Sequence, residues 1–201
     1  MSSRRTAVVA AFAFAVPLLA SAASQNPSDI PAGRWVMDKR HSSLIARVQH
    51  MGVSLYTVRF DTFDASFDYD PAHPENTHVQ ASVDPTSLDV NADYSKDFAR
   101  EFLSADKFAT ATFVSTQIQP GTGPQGTMTG DLTLMGVTKP VTFNVTLIGT
   151  GHEVLPIPLG QHAAGFEATT TIKRSDFGST YLNNLVGDDV TIQIEAEFDH
   201  K

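Results

Sequence analysis

Residues 130–143 read GDLTLMGVTKPVTF. Leu132 and Leu134 alternate with Asp131 and Thr133, and beyond a short plug, MGVTKP, Val141 and Phe143 flank Thr142. Strict apolar–polar alternation is the mark of a β-strand with one buried face. Two such runs around a Gly-containing plug make a hairpin. Gly136 and the Lys139–Pro140 pair are read as the turn residues that set its register. Leu132, Leu134, Val141 and Phe143 then share one inward face. Whether that face lines a packed core or an open space decides what the protein can do.

The same period-2 pattern recurs along the chain. Leu44, Ala46 and Val48 form one apolar face, and Phe63, Ala65, Phe67 and Tyr69 form another. Val79, Ala81 and Val83 follow, then the run around Phe113 from Ala111 to Ile118. Val145 and Leu147 extend the second half of the hairpin. Phe166, Ala168, Thr170 and Ile172, then Val190, Ile192, Ile194, Ala196 and Phe198, complete the set. This predicts a mainly β protein of eight antiparallel strands, each with one apolar face. One stretch departs from it. In residues 91–108, Tyr94, Phe98 and Phe102 repeat every fourth residue, which predicts an inserted α-helix over about 93–103, capped by Asn91 or Asp93.

Eight such strands pack economically as a sandwich or as a closed barrel. A barrel of eight strands is wide enough to be filled by side chains or to hold one small ligand. Ala46, Ala65, Ala81, Ala168 and Ala196 fall on the apolar faces, beside Gly130 and Thr170. Small residues there either leave volume or fit a taper, and both readings stay open.

The first residues read as an export signal. Arg4 and Arg5 precede the apolar run AVVAAFAFAVPLLA at residues 7–20, and Ala20-Ser21-Ala22 forms an A-x-A cleavage site. The run is short for a membrane span. The expected organisation is a cleaved signal over 1–22, a flexible lead-in over 23–33 and one domain over 34–201, in the periplasm. Cleavage removes two of the 14 basic residues and none of the 22 acidic ones, leaving a net charge near −10. That balance opposes nucleic-acid binding and docking to anionic lipid. The chain has no cysteine, so disulfides and thiolate chemistry are excluded.

No catalytic motif stands out. The seven histidines include no strand-spaced pair and no H-E-x-x-H, so no metal site is expected. His41 follows Asp38, which can accept its N–H and fix a turn. Ser42 and Ser43 are poorly placed to act as its nucleophile. Carboxylates fall mainly on solvent faces, and there is no Gly-rich phosphate loop. Arg174 continues the inward face of residues 166–172. It is expected to pair with Asp176 or another acid at the barrel end, or to meet the polar head of a ligand. Residues 154–159, VLPIPL, form an apolar segment that either covers the sheet or makes a portal lip.

Four motifs, in order, carry a family resemblance: Trp35-x-x-Asp38-x-x-His41-Ser42; His50-Met51-Gly52 with Arg59-Phe60; residues 130–141; and Gly165-Phe166, Lys173–Gly178, Val186-Gly187-Asp188-Asp189-Val190. The chain resembles the YceI-like family of exported, lipocalin-like barrels that bind polyisoprenoid lipids, over residues 34–199. Two departures are visible. The helix carries Ala99-Arg100-Glu101-Phe102-Leu103 where many members have R-D-x-H-L, and Thr110–Phe113 lacks a common proline.

The resemblance implies a lipocalin-like barrel that sequesters a long apolar ligand without chemistry. Its wall would be Leu44, Val48, Phe63, Phe67, Phe98, Phe102, Phe113, Leu132, Phe143, Phe166, Ile192 and Ile194, with Arg174, Asp176 and His41 as polar groups at a barrel end. No cofactor is implied beyond a bound isoprenoid or quinone-type lipid, and a homodimer is compatible with it. Two other readings remain: an exported hydrolase acting on a lipid or sugar, and a stress-response interaction module with a filled barrel.

Overall fold

The computed structural model describes residues 23–90, 93–152 and 161–201. Asn91 and the segment 154–159 therefore lie outside the described residues. Ten strands and one α-helix are found among the described residues: β1 Gly33–His50, β2 Ser54–Phe60, β3 Phe63–Tyr69, β4 His78–Val83, β5 Leu88–Asp89, α1 Ser95–Leu103, β6 Ala111–Pro120, β7 Gln125–Leu134, β8 Val137–His152, β9 His162–Lys173 and β10 Val186–His200. All pairings are antiparallel. The sheet runs β10-β9-β8-β7-β6-β4-β3-β1, and β1 pairs with β10 to close an eight-stranded barrel. Closure leaves these strands without a free edge.

The eight sequence-predicted strands are the eight barrel strands. The two additional strands, β2 and β5, lie beyond β1, where β1 is too long for one neighbour. Its first residues, Gly33–Val36, pair with β3, and Leu44–His50 pair with β2. An irregularity between Asp38 and Ser43 separates these halves. The odd positions Trp35 and Met37 are buried before it, and the even positions Leu44 and Ala46 after it. The extra residues thus reset the phase of the strand.

The D-x-x-H-S motif builds this irregularity. Asp38, its side chain 5% exposed, accepts hydrogen bonds from the Arg40 backbone N–H (2.8 Å) and guanidinium (2.7 and 3.1 Å). His41 Nδ1 lies 3.0 Å from its Oδ2. The Ser42 hydroxyl donates to the Asp38 carbonyl (2.7 Å) and accepts from the Glu197 N–H on β10 (3.1 Å). Arg40 above all, with His41, holds the Asp38 carboxyl well below the usual carboxylate range. A depressed pKa contributes stability that is present above the unfolded value, near 3.9, and lost as pH falls through the acid range. Asp38→Asn is expected to cost about 2 kcal/mol at neutral pH by weakening charge-assisted bonds. Its melting temperature should also fall less steeply than the wild type's on acidification below about pH 4, which thermal melts across pH would show.

The β7–β8 turn is tighter than the sequence reading. Only Met135 and Gly136 form it, with φ of 52° and 75°. Positive φ at both central residues is the primed hairpin turn that matches strand twist. A Cβ on Gly136 would also press on the Phe108 ring at 2.7 Å. Lys139 and Pro140 are not turn residues: they pair within the ladder with Leu132 and Asp131. Pro140 is tolerated because β9 begins to pair with β8 only at Asn144, so no neighbour there needs its missing N–H.

The helix starts at Ser95 with Tyr94 as its N-cap residue, and no side chain caps it. Asp93 is therefore not the cap. Ser104, in the left-handed conformation (φ 48°), ends it. The lead-in is tied to the barrel at two places. Ser24 and Thr150 exchange backbone hydrogen bonds of 2.9 and 2.8 Å, and Ile30 is 2% exposed against Trp35.

Candidate functional site

The inward faces of the strands enclose a cavity of about 640 Å³. This is the range of small-molecule sites. Two packed layers bound it. At one end Trp35 is fully buried, stacked 5.8 Å from Phe67, with Leu147, Ala164 and Phe198 around it. At the other end α1 lies across the opening. Phe98 and Phe102 descend from it, 5.4 Å apart edge to face. Leu88, Ala99 and Ala105 anchor the helix to β5 and the following loop.

All twelve wall residues expected from the sequence line this cavity. So do the five alanines at 46, 65, 81, 168 and 196. Ala65 and Ala81 face each other across β3 and β4, and Ala81 faces Phe113 on β6. Here the missing side-chain volume becomes open space. Gly130 and Thr170 act differently. A Cβ at Gly130 would collide with the Phe113 ring, so this glycine seats an aromatic side chain. Thr170 donates its hydroxyl to the Thr142 carbonyl (2.8 Å). Sequence reading missed Tyr56, Val58 and Phe60 on β2, which also line the cavity. Their alternation in SLYTVRF was the available signal.

Of the three polar groups expected at a barrel end, only Arg174 reaches the cavity. It is 7% exposed, and its hydrogen bonds run to backbone carbonyls rather than to Asp176. Its Nε donates to the Gly187 carbonyl (2.9 Å), Nη1 to those of Ser179 (3.1 Å) and Tyr181 (2.9 Å), and Nη2 to that of Val186 (3.0 Å). The guanidinium also lies 5.8 Å from the Phe102 ring centroid. Arg174 therefore ties the 179–187 loop to the helix. Asp176 is exposed on the short 3-10 turn Arg174–Phe177. His41 is exposed in the Asp38 clasp, outside the cavity wall. Asp38, His41 and Glu197 lie close enough to share an ion, but the Asp38 oxygens are already taken up by Arg40.

The barrel also gathers histidines that the sequence keeps apart. His152 and His162 pair across β8 and β9 with ring centroids 4.5 Å apart, and His162 and His200 flank Trp35. Burial, then His152 and His200, push the His162 pKa below its ordinary value. Its Nε2 is buried without a hydrogen-bond partner.

Known proteins resemble this chain in sequence and fold. The model of the YceI-like domain matches residues 35–198. A "UPF0312 protein" of Pseudomonas fluorescens is 37% identical over 177 residues, spanning 84% of this chain and 87% of its own. A Vibrio cholerae UPF0312 protein is 37% identical over 169 residues, spanning 82% and 87%. Among solved structures, BcnA of Burkholderia cenocepacia superposes with a TM-score of 0.70 at 28% identity, over 80% of this chain and 98% of its own. A polyisoprenoid binding domain from Saccharophagus degradans shares the fold, with a TM-score of 0.58 at 16% identity over 85% and 100%. With the barrel, the inserted helix and the four motifs in place, this chain belongs to the YceI-like family.

Proposed function

We propose that this protein sequesters or carries a long apolar lipid, a polyisoprenoid or quinone-type chain, in the barrel cavity, and that no catalysis is involved. The observation that carries this reading is the apolar space of about 640 Å³ inside the closed barrel. The likeness to a domain that binds polyisoprenoid supports the ligand class. Each buried methylene contributes about 0.8 kcal/mol, so a few isoprene units outweigh the cost of association and give micromolar binding. The polar elements do not compete for the cavity: four Arg174 N–H groups are satisfied by carbonyls, and Ser42 and His41 belong to the β1 clasp.

The protein acts, on this reading, in the periplasm after removal of residues 1–22. The support is the sequence alone: Arg4-Arg5, the apolar run at 7–20 and Ala20-Ser21-Ala22. No helix among the described residues is long and apolar enough to cross a membrane.

Titrating delipidated protein with a long-chain polyprenol, followed by displacement of a fluorescent fatty probe, tests the proposal. Saturable binding at one ligand per chain is expected. The absence of saturable binding overturns it.

A further inference from the structure

Nine large apolar side chains are exposed among the described residues, and seven of them gather at one end of the barrel. Met51, Val53 and Leu55 stand at the tip of the β1–β2 hairpin, with Val53 86% and Leu55 68% exposed. Tyr181, Leu182 and Leu185 stand on the loop leading into β10, and Tyr94 begins α1. Backbone and ring contacts join them into one surface. The Met51 N–H donates to the Leu185 carbonyl at 2.7 Å. Rings meet in series from His50 to Tyr56 to Phe98, and from Phe98 both to Tyr94 and, through Phe102, to Tyr181, with centroids 5.0–6.3 Å apart. Tyr94 and Leu182 belong both to this surface and to the cavity wall, so the rim is continuous with the interior.

Two of the three rim segments carry no charge, whereas Tyr94 is flanked by the exposed Asp93, Lys96 and Asp97. Residues 48–58, VQHMGVSLYTV, and residues 177–187, FGSTYLNNLVG, contain no Asp, Glu, Lys or Arg, in a chain of which 18% is charged. Leu182 is held at a φ of 50°, a conformation that costs a branched side chain about 1–3 kcal/mol. The strained backbone places Leu182 where it is both exposed and part of the cavity lining. An apolar patch of this kind marks a contact surface. An uncharged hairpin tip and loop with tyrosines at the edge suit the polar–apolar boundary of a bilayer. The acidic remainder of the protein disfavours an anionic lipid surface.

We infer that the helix end of the barrel docks on an electrically neutral lipid surface, so that ligand passes between bilayer and cavity without crossing water. The passage of ligand rests on the function proposed above, whereas the docking does not. The double variant Val53→Asp/Leu55→Asp tests it, because neither side chain lines the cavity and both are exposed. Wild-type protein should co-float with phosphatidylcholine vesicles, and less well when phosphatidylserine is added. The variant should lose co-flotation and take up vesicle-borne polyprenol at least tenfold more slowly, while binding polyprenol offered in detergent as the wild type does. Equal flotation and uptake by the two proteins overturns the inference. So does a rim that pairs two copies of the chain, seen by light scattering as a dimer that the variant dissociates with no change in flotation. Flotation of wild type that binds no polyprenol in detergent would support docking and reject the proposed ligand.

Discussion

Substituting leucine for both Ala65 and Ala81 is expected to weaken binding of a long apolar ligand about 100-fold while leaving the barrel folded. The two residues are direct neighbours across β3 and β4 and line the cavity. Each substitution adds an isopropyl group to space that the ligand would occupy. Excluding about four methylenes of ligand removes roughly 3 kcal/mol, a loss of about 100-fold in affinity. In a packed core the same changes would overpack and cost about 1–3 kcal/mol. In an open cavity they fill a void, so the melting temperature should hold or rise. Ligand titration and a thermal melt on one sample separate the two cases.

Arg174→Met should have the largest effect on stability. The methionine retains an apolar stem but leaves four carbonyls, of Ser179, Tyr181, Val186 and Gly187, without their donor. Losing charge-assisted bonds at a residue 7% exposed costs about 3–4 kcal/mol. At about 2–4 °C per kcal/mol, the melting temperature should drop by about 10 °C. Arg174→Lys should recover only part of this, because an ammonium cannot reproduce the planar fork that reaches four acceptors. Full recovery with lysine would show that charge alone, rather than the carbonyl clamp, holds the loop. The Arg174 variants also bear on the helix end, since the Ser179 hydroxyl donates to the Phe102 carbonyl at 2.7 Å.

Strand periodicity was the most legible feature of this chain. The eight alternating runs are the eight barrel strands, and the twelve wall residues drawn from them and the helix all face the cavity. Legibility stopped where the ladder is irregular. Breaks at Asp38/Ser43, Ser115/Gln117 and Leu147/Gly149 reset the inward phase, and a fixed period of two carries no sign of them. The strand β2 escaped because its outward face carries Leu55 at the rim, which blurs the contrast between faces. Two-residue β5 is too short to show a period. The choice between core and cavity needed the register. Ala65 and Ala81 leave open volume because they are direct neighbours across β3 and β4. Arg174 misled the reading because its partners are backbone carbonyls, which have no letter in the sequence. The Asp38–His41 contact was legible because the two lie three residues apart, whereas the Arg40 and Ser42 bonds of the same clasp were not read from the sequence.

The most direct test is to purify the protein from its native host, extract it with organic solvent and identify the extract by mass spectrometry, with Ala65→Leu/Ala81→Leu purified in parallel. The account predicts about one long-chain isoprenoid or quinone-type lipid per wild-type chain and little or none with the double variant. A wild-type protein that yields no stoichiometric lipid, together with a crystal structure showing a barrel filled by its own side chains, would contradict it.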